Sequence, residues 1–276
     1  MKISIVMAYF ERREQLENTL YSISLSKHED KEVIIFDDAS DNDIYDLEKK
    51  YNFKIKIIKV CRQLKKWTNP CVPYNVCFSE SEGDIVIIQN PECLHLGDIV
   101  SFVAKNTTNE NYLTFSCYSI DSLKTKKINE IRDNFYENVK NIVEPFDNNR
   151  KHLISDVDVW YNHPLYRNCA YHFCSAISMD NLKKLNGFDN RFKNGFGYDD
   201  DEFLERVRRL GLNAKVLPAE DPMVIHQFHK RTVGFTNSSI RRLTETNCQI
   251  YKILSKHENT FSVESGMNQV KELIKE

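Results

Sequence analysis

Val33-Ile34-Ile35-Phe36-Asp37-Asp38-Ala39-Ser40-Asp41 is an unbroken apolar run that stops at two adjacent carboxylates and a turn. Such a run, bounded by turn residues, reads as a buried β-strand. Similar runs recur from Ile3 to Ala8, Lys54 to Val60 and Asp84 to Gln89. Between them lie helical patterns such as Leu16, Leu20 and Ile23, with apolar members one and two turns apart. Strands separated by helices need crossover connections, so the alternation predicts an α/β fold: a mainly parallel, Rossmann-like sheet flanked by helices. Ligands on such sheets sit beyond the carboxyl ends of the strands. The residues after Ala8, Phe36, Val60 and Gln89 are therefore where chemistry is expected.

The composition fits one large or two small globular domains: 276 residues, of which 41% are hydrophobic and 28% charged. A formal net charge of -2 gives no general attraction to nucleic acid or acidic lipid, so no nucleic-acid partner is expected. No apolar run approaches the roughly 20 residues of a membrane span, and Met1 to Val6 leads at once into charged sequence, unlike a signal peptide. These features predict a cytoplasmic protein with no transmembrane segment. The eight cysteines include no C-x-x-C pair and read as reduced, small buried hydrophobes.

The second half is less regular. Asn141 to Asn168 reads as a long loop over the sheet, His172 to Met179 as a strand, and Asp180 to Leu185 as a short helix closed by Gly187. Phe203, Leu204, Val207 and Leu210 mark a helix from about Asp200 that stops at Gly211. Ile240, Leu243, Ile250 and Leu254 predict a helical C-terminal extension, and the last dozen residues a further short helix. The expected division is residues 1–235 for the main domain and 236–276 for the extension.

Four constellations carry oxygen or nitrogen ligands. The acidic pair Asp37-Asp38 reads either as a plain turn or as one carboxylate for a ligand and one ordering the loop, because adjacent side chains at a strand end diverge. Ile85-Val86-Ile87-Ile88-Gln89 runs directly into Asn90-Pro91-Glu92. Phe196-Gly197-Tyr198-Asp199-Asp200-Asp201-Glu202-Phe203 places acids at a helix N-terminus, where the macrodipole favours ionised carboxylates. Glu202 and Arg206 have the spacing of an i,i+4 ion pair. Met223-Val224-Ile225-His226 ends a strand on an imidazole, followed by His229, Lys230 and Arg231.

The opening strand through Ala8 and Tyr9, together with Asp37-Asp38, resembles the nucleotide-sugar half of family 2 glycosyltransferases with the GT-A fold. Leu185-Asn186-Gly187-Phe188-Asp189 through Arg206 is similar to the acceptor motif of chondroitin-polymerase-like and β-1,4-galactosyltransferase-like enzymes. The likeness runs from Ile3 to Arg231. It implies nucleotide contacts at Ala8, Tyr9, Asp37, Asp38, Arg62, Asn75 and Asn90, with Asp38 reading the base. It also implies Asp200 as catalytic base, acceptor contacts at Asp199, Gly197 and Tyr198, and a Mn²⁺ or Mg²⁺ site at Glu92 and His226, contributed from opposite ends of the sheet. Where the family usually carries Asp-x-Asp, this chain has Asn90-Pro91-Glu92.

The resemblance thus implies an inverting enzyme of polysaccharide biosynthesis, moving a hexose or N-acetylhexosamine from a UDP-sugar donor to a glycan or glycoconjugate hydroxyl. Two rivals are a catalytically silent sugar-nucleotide or glycan-binding module and a nucleotidyltransferase. The latter expects a Gly-rich basic loop after the first strand, where this chain has Tyr9-Phe10-Glu11-Arg12-Arg13. Glycoside hydrolysis needs two carboxylates flanking the scissile bond, and only one acidic cluster faces the acceptor side.

Overall fold

A computed structural model gives the structure of the chain over residues 1–151, 156–230, 236–257 and 260–273. Arg231, placed by its sequence in a loop able to close over diphosphate, and the final three residues of the expected C-terminal helix lie outside the described residues.

In chain order the strands are β1 (Ile3–Tyr9), β2 (Lys31–Asp37), β3 (Lys54–Lys59), β4 (Ile85–Gln89), β5 (Cys93–Leu96), β6 (Asn111–Thr114), β7 (Cys117–Ser119), β8 (Trp160–Asn162), β9 (Cys174–Ser178), β10 (Asn213–Val216) and β11 (Met223–His226). The helices are α1 (Arg13–Ser24), α2 (Cys71–Ser79), α3 (Ile99–Asn106), α4 (Ser122–Asn129), α5 (Phe135–Val143), α6 (Met179–Leu185), α7 (Asp199–Arg209), α8 (Asn237–His257) and α9 (Val270–Leu273). A seven-stranded sheet has the order β10-β6-β9-β4-β1-β2-β3. It is parallel except at β9, which runs antiparallel to both β4 and β6.

The parallel register sets Tyr9 beside Asp37 and Asp37 beside Lys59, so the carboxyl ends of three strands share one edge. Alternation along the strands explains the two cores. Val6, Ile34, Phe36, Val86 and Ile88 face α2, α6 and α7, whereas Ile5, Met7, Val33, Ile35 and Ile87 face α1 and α3. Because both faces are covered, β2 is buried along its whole length.

A second sheet, β5-β11-β7-β8, sits under a third apolar cluster containing Tyr118, Phe135, Val139 and Trp160. This sheet was not expected, since its strands are only three or four residues long. The stretch expected to be one long loop instead begins in α5 and contains β8. All eight cysteines are free, and six of them are buried. Among the described residues no helix is long and apolar enough to cross a membrane.

Candidate active site

The shared carboxyl edge opens into a cavity of about 600 Å³, within the range of small-ligand pockets. Ala8, Tyr9, Asp38, Arg62 and Asn90 line it, as does Arg12 from the loop before α1. Asp38 is held from two sides: Lys65 Nζ donates to Oδ2 at 2.7 Å and Trp67 Nε1 to Oδ1 at 2.9 Å. Burial raises the Asp38 pKa, and Lys65 and Trp67 act against it. Arg62, mostly exposed, pairs with Asp41 at 2.9 Å.

Two expected nucleotide contacts are placed elsewhere. Asp37 is fully buried, accepts from the Ser40 N–H at 2.9 Å and pairs with Lys59 at 3.2 Å, so it orders the loop beneath Asp38. Asn75 is also fully buried in α2. Its amide donates to the Phe188 carbonyl at 2.8 Å and to Asn190 at 2.9 Å, and its oxygen accepts from the Phe188 N–H at 2.8 Å. Asn75 therefore ties α2 to the acceptor motif instead of facing the cavity. A Cβ at Gly187, whose φ is +68°, would stand 2.3 Å from the Asn75 oxygen, which is why this turn requires glycine.

Glu92 and His226 do come together, but from neighbouring elements of the smaller sheet and not from opposite ends of one sheet. Antiparallel pairing sets His226 opposite Cys93, and the Gln227 N–H donates to the Glu92 carbonyl at 3.0 Å. His226 Nε2 lies 3.3 Å and His229 Nε2 3.5 Å from Glu92 Oε1, which also takes Arg12 at 2.7 Å. Burial opposes the Glu92 charge, but Arg12, His226 and His229 hold the carboxyl well below its usual range. Glu92 Oε2 is buried and has no hydrogen-bond partner among the described residues. Burial also lowers the His229 pKa against the pull of Glu92, which keeps a ring lone pair available.

The acceptor motif folds as expected into a turn leading to α7, with Asp199, Asp200, Asp201 and Glu202 in the first helical turn. Asp199 is buried and accepts from Asn69 at 2.8 Å; burial and then the charge of Asp200 push its pKa up to about 6. Asp200 keeps 28% of its side chain exposed and meets the buried His172 ring. Asp201 accepts from the Tyr171 hydroxyl at 2.8 Å. Arg206 is buried, binds Glu202 through two nitrogens at 2.5 and 2.9 Å, and donates to the Leu185 and Gly187 carbonyls.

The two expected sides of the site meet at Tyr74. Its hydroxyl donates to Asn90 Oδ1 at 3.0 Å in the cavity wall, and its ring stands 5.1 Å from that of His172, edge to face. Burial first, then the charges of Glu92 and Asp200 among others, raise the Tyr74 pKa well above its usual value. Gly197 has φ +65° with open space where a Cβ would go. Tyr198 packs on Tyr251 of α8 at 5.6 Å, and Phe196 takes a place in the cavity lining. Gly195 presses against α8, where a Cβ would lie 2.2 Å from Asn247. Asn247 carried no signal in the sequence, standing in the polar run Thr244-Glu245-Thr246-Asn247-Cys248-Gln249, and the partnership of His172 with Asp200 depends on the fold.

Comparison with known proteins bears on the family and the fold. The model described as the N-terminal domain of galactosyltransferase matches residues 157–230, and the model of glycosyl transferase family 2 matches residues 4–146. No curated protein matches the chain. Among solved structures, S. aureus TarS 1–349 in complex with UDP-GlcNAc is 12% identical, with a TM-score of 0.57, and the match covers 99% of this chain and 70% of that one. The catalytic domain of Drosophila β1,4-galactosyltransferase 7 in complex with xylobiose is 14% identical, with a TM-score of 0.50, covering 97% and 83%. A further TarS 1–349 structure is 14% identical at a TM-score of 0.51, covering 82% of this chain, which spans 60% of its length. At these identities the likeness is one of fold, the GT-A arrangement of a mainly parallel sheet. With more than half of its length matched by the family 2 model, the chain belongs to glycosyl transferase family 2.

Proposed function

We propose that the chain transfers a hexose or N-acetylhexosamine from a UDP-sugar to a hydroxyl of a glycan or glycoconjugate, with inversion. One observation carries this reading: Asp38 and Tyr74 line the same cavity, and Asp200 reaches Tyr74 through His172. Asp200 thus stands behind the wall of the cavity that Asp38 lines, joined to that wall through His172 and Tyr74. Asp38 offers an acceptor to a nucleobase N–H, while Arg62 and Lys65 offer positive charge to a diphosphate. TarS has been seen with UDP and with UDP-GlcNAc, and the Drosophila enzyme with xylobiose, which supports a nucleotide-sugar donor and a sugar acceptor.

In the proposed reaction the acceptor oxygen attacks the anomeric carbon in line as the bond to UDP breaks. Its proton passes to Asp200, and the bonding pair leaves on the UDP phosphate oxygen. Asp200 suits this role by access: its neighbour Asp199 is 4% exposed and already bonded to Asn69. Gly197 and Tyr198 remain the proposed acceptor contacts, and Asp199, expected beside them but buried on Asn69, supports their turn from below.

Glu92, His226 and His229 fit a divalent ion: an unpartnered buried carboxylate oxygen and two ring nitrogens form a mixed donor set acceptable to Mn²⁺, with Mg²⁺ the alternative. When bound, the ion offsets charge on the departing diphosphate. Arg12, which touches Glu92 and also lines the cavity, brings positive charge of its own.

A silent binding module is favoured only by Asn90 standing where the family has an acid. Equilibrium binding of a panel of sugar nucleotides, paired with UDP release with and without Mn²⁺, separates the readings. One UDP-sugar is expected to bind and release UDP when acceptor is supplied. Binding without release under either condition supports the silent module, and absence of binding by every UDP-sugar overturns the donor assignment.

A further inference from the structure

His172 sits at the turn before β9, fully enclosed between Tyr74 of α2 and Phe188, with ring centroids 5.1 and 4.9 Å away. An aromatic hydrocarbon would fill this place without any polar cost, whereas a buried imidazole must find a partner. The partner is Asp200. His172 Nδ1 contacts Asp200 Oδ1, and the His172 backbone N–H donates to the same oxygen at 3.3 Å. Both contacts fall on Oδ1 of a carboxylate whose side chain stays 28% exposed.

We propose that His172 is a positioning residue for the acceptor base: it grips Oδ1 of Asp200, fixes the rotamer of the carboxylate and supports its charge, so that Oδ2 meets the acceptor hydroxyl. This rests on the reading of Asp200 as the base. A buried ion pair is a weak source of stability, since desolvation offsets the attraction, so its value here lies in geometry. An ordering group behind a proton-transferring one follows the logic of the third member of a catalytic triad.

The surroundings favour a charged ring. Burial lowers the His172 pKa, but the charges of Asp200 and Asp199 outweigh it and raise the value above the ordinary one. Facing the pair are Asp199 and Asp201 on α7, Tyr74 on α2, Tyr112 on β6 and Tyr171 beside the ring. Among these His172 is the one cationic group, so its loss leaves the acids of the α7 N-terminus facing one another with only neutral partners, the Asn69 amide and the Tyr171 hydroxyl.

The test compares His172→Phe, His172→Asn and Asp200→Asn in the full chain, measuring donor affinity, acceptor KM, kcat against pH and thermal melting. Loss of the ring is expected to lower kcat about 10- to 100-fold, the range for removal of an orienting partner, with donor affinity unchanged. The acid limb of kcat is expected to move up by about one pH unit in both His172 variants, because both lack the cation. His172→Asn, which keeps an N–H donor, should recover part of kcat but not the limb. A wild-type acid limb in both variants, or failure of both to fold, overturns the proposal and leaves His172 a purely structural residue. Turnover by Asp200→Asn at the wild-type rate overturns the base assignment itself. An inactive Asp200→Asn beside unmoved limbs in the His172 variants overturns the His172 role alone.

Discussion

Asp199 shows how the site is set against the stability of the fold. Its pKa of about 6 lies above the ordinary carboxylate value of 3.8, so the folded chain binds this proton more tightly than the unfolded chain does. Between about pH 4 and 6 the folded state therefore holds more protons, and stability from this group falls as pH rises; above 6 the whole cost of the buried charge is present. Asp199→Asn removes that cost while keeping a partner for Asn69. Thermal melts should show the variant more stable than wild type at pH 8, by on the order of 1–3 kcal/mol, with the two converging near pH 4. Its acceptor KM should rise in the same protein. The acidic pair Asp37-Asp38 and the acidic opening of α7 stood out in the sequence against apolar runs, while the choice of Asp38 and Asp200 within them came from the resemblance. The placement of Asp37 and Asn75 was not, since the residue type does not say whether a polar group turns toward a cleft or back onto its own loop.

The clearest device at the level of elements is α8, which clasps the loop before α7 from outside. Asn247 is fully buried, and its amide donates to the Phe192 carbonyl at 3.1 Å and the Gly197 carbonyl at 2.9 Å. The Phe196 N–H in turn donates to the Leu243 carbonyl at 3.2 Å. Asn247→Ala strands the buried Phe192 carbonyl and frees that of the exposed Gly197, which costs about 1–3 kcal/mol. We expect acceptor KM to rise severalfold with donor affinity within twofold of wild type, measured by initial rates and by equilibrium titration; a matching loss of donor affinity would contradict this division of labour. Helix α7 was readable from its apolar spacing and its glycine stop. The clasp was not, because a helix pattern shows which face is apolar and not which loop lies beneath it. The short strands β5, β7 and β8 escaped for a related reason: three or four residues hold too little periodicity to separate from a turn.

Across the whole molecule, the main sheet gathers the donor side at its carboxyl edge, and the smaller sheet delivers the candidate ion ligands to the same neighbourhood. That division explains why the main sheet was legible from its alternation of strands and helices, while the meeting of Glu92 with His226 and His229 depends on pairing between β5 and β11. If these three residues hold an ion in the folded state only, Mn²⁺ must stabilise the chain by mass action, by about 2.7 kcal/mol at a hundredfold excess over Kd. Differential scanning fluorimetry should show the melting temperature rising with Mn²⁺ in wild type and flat in Glu92→Ala. An equal rise in the variant places the ion elsewhere. The central claim is that one cleft divides donor recognition at Asp38 from proton transfer at Asp200, and the most direct test measures UDP-sugar affinity and turnover in Asp38→Ala and Asp200→Asn side by side. The account predicts that Asp38→Ala loses affinity at least tenfold, whereas Asp200→Asn binds donor as wild type does and loses turnover by about 10²- to 10⁴-fold. Full turnover by Asp200→Asn, or undiminished donor binding by Asp38→Ala, would contradict it.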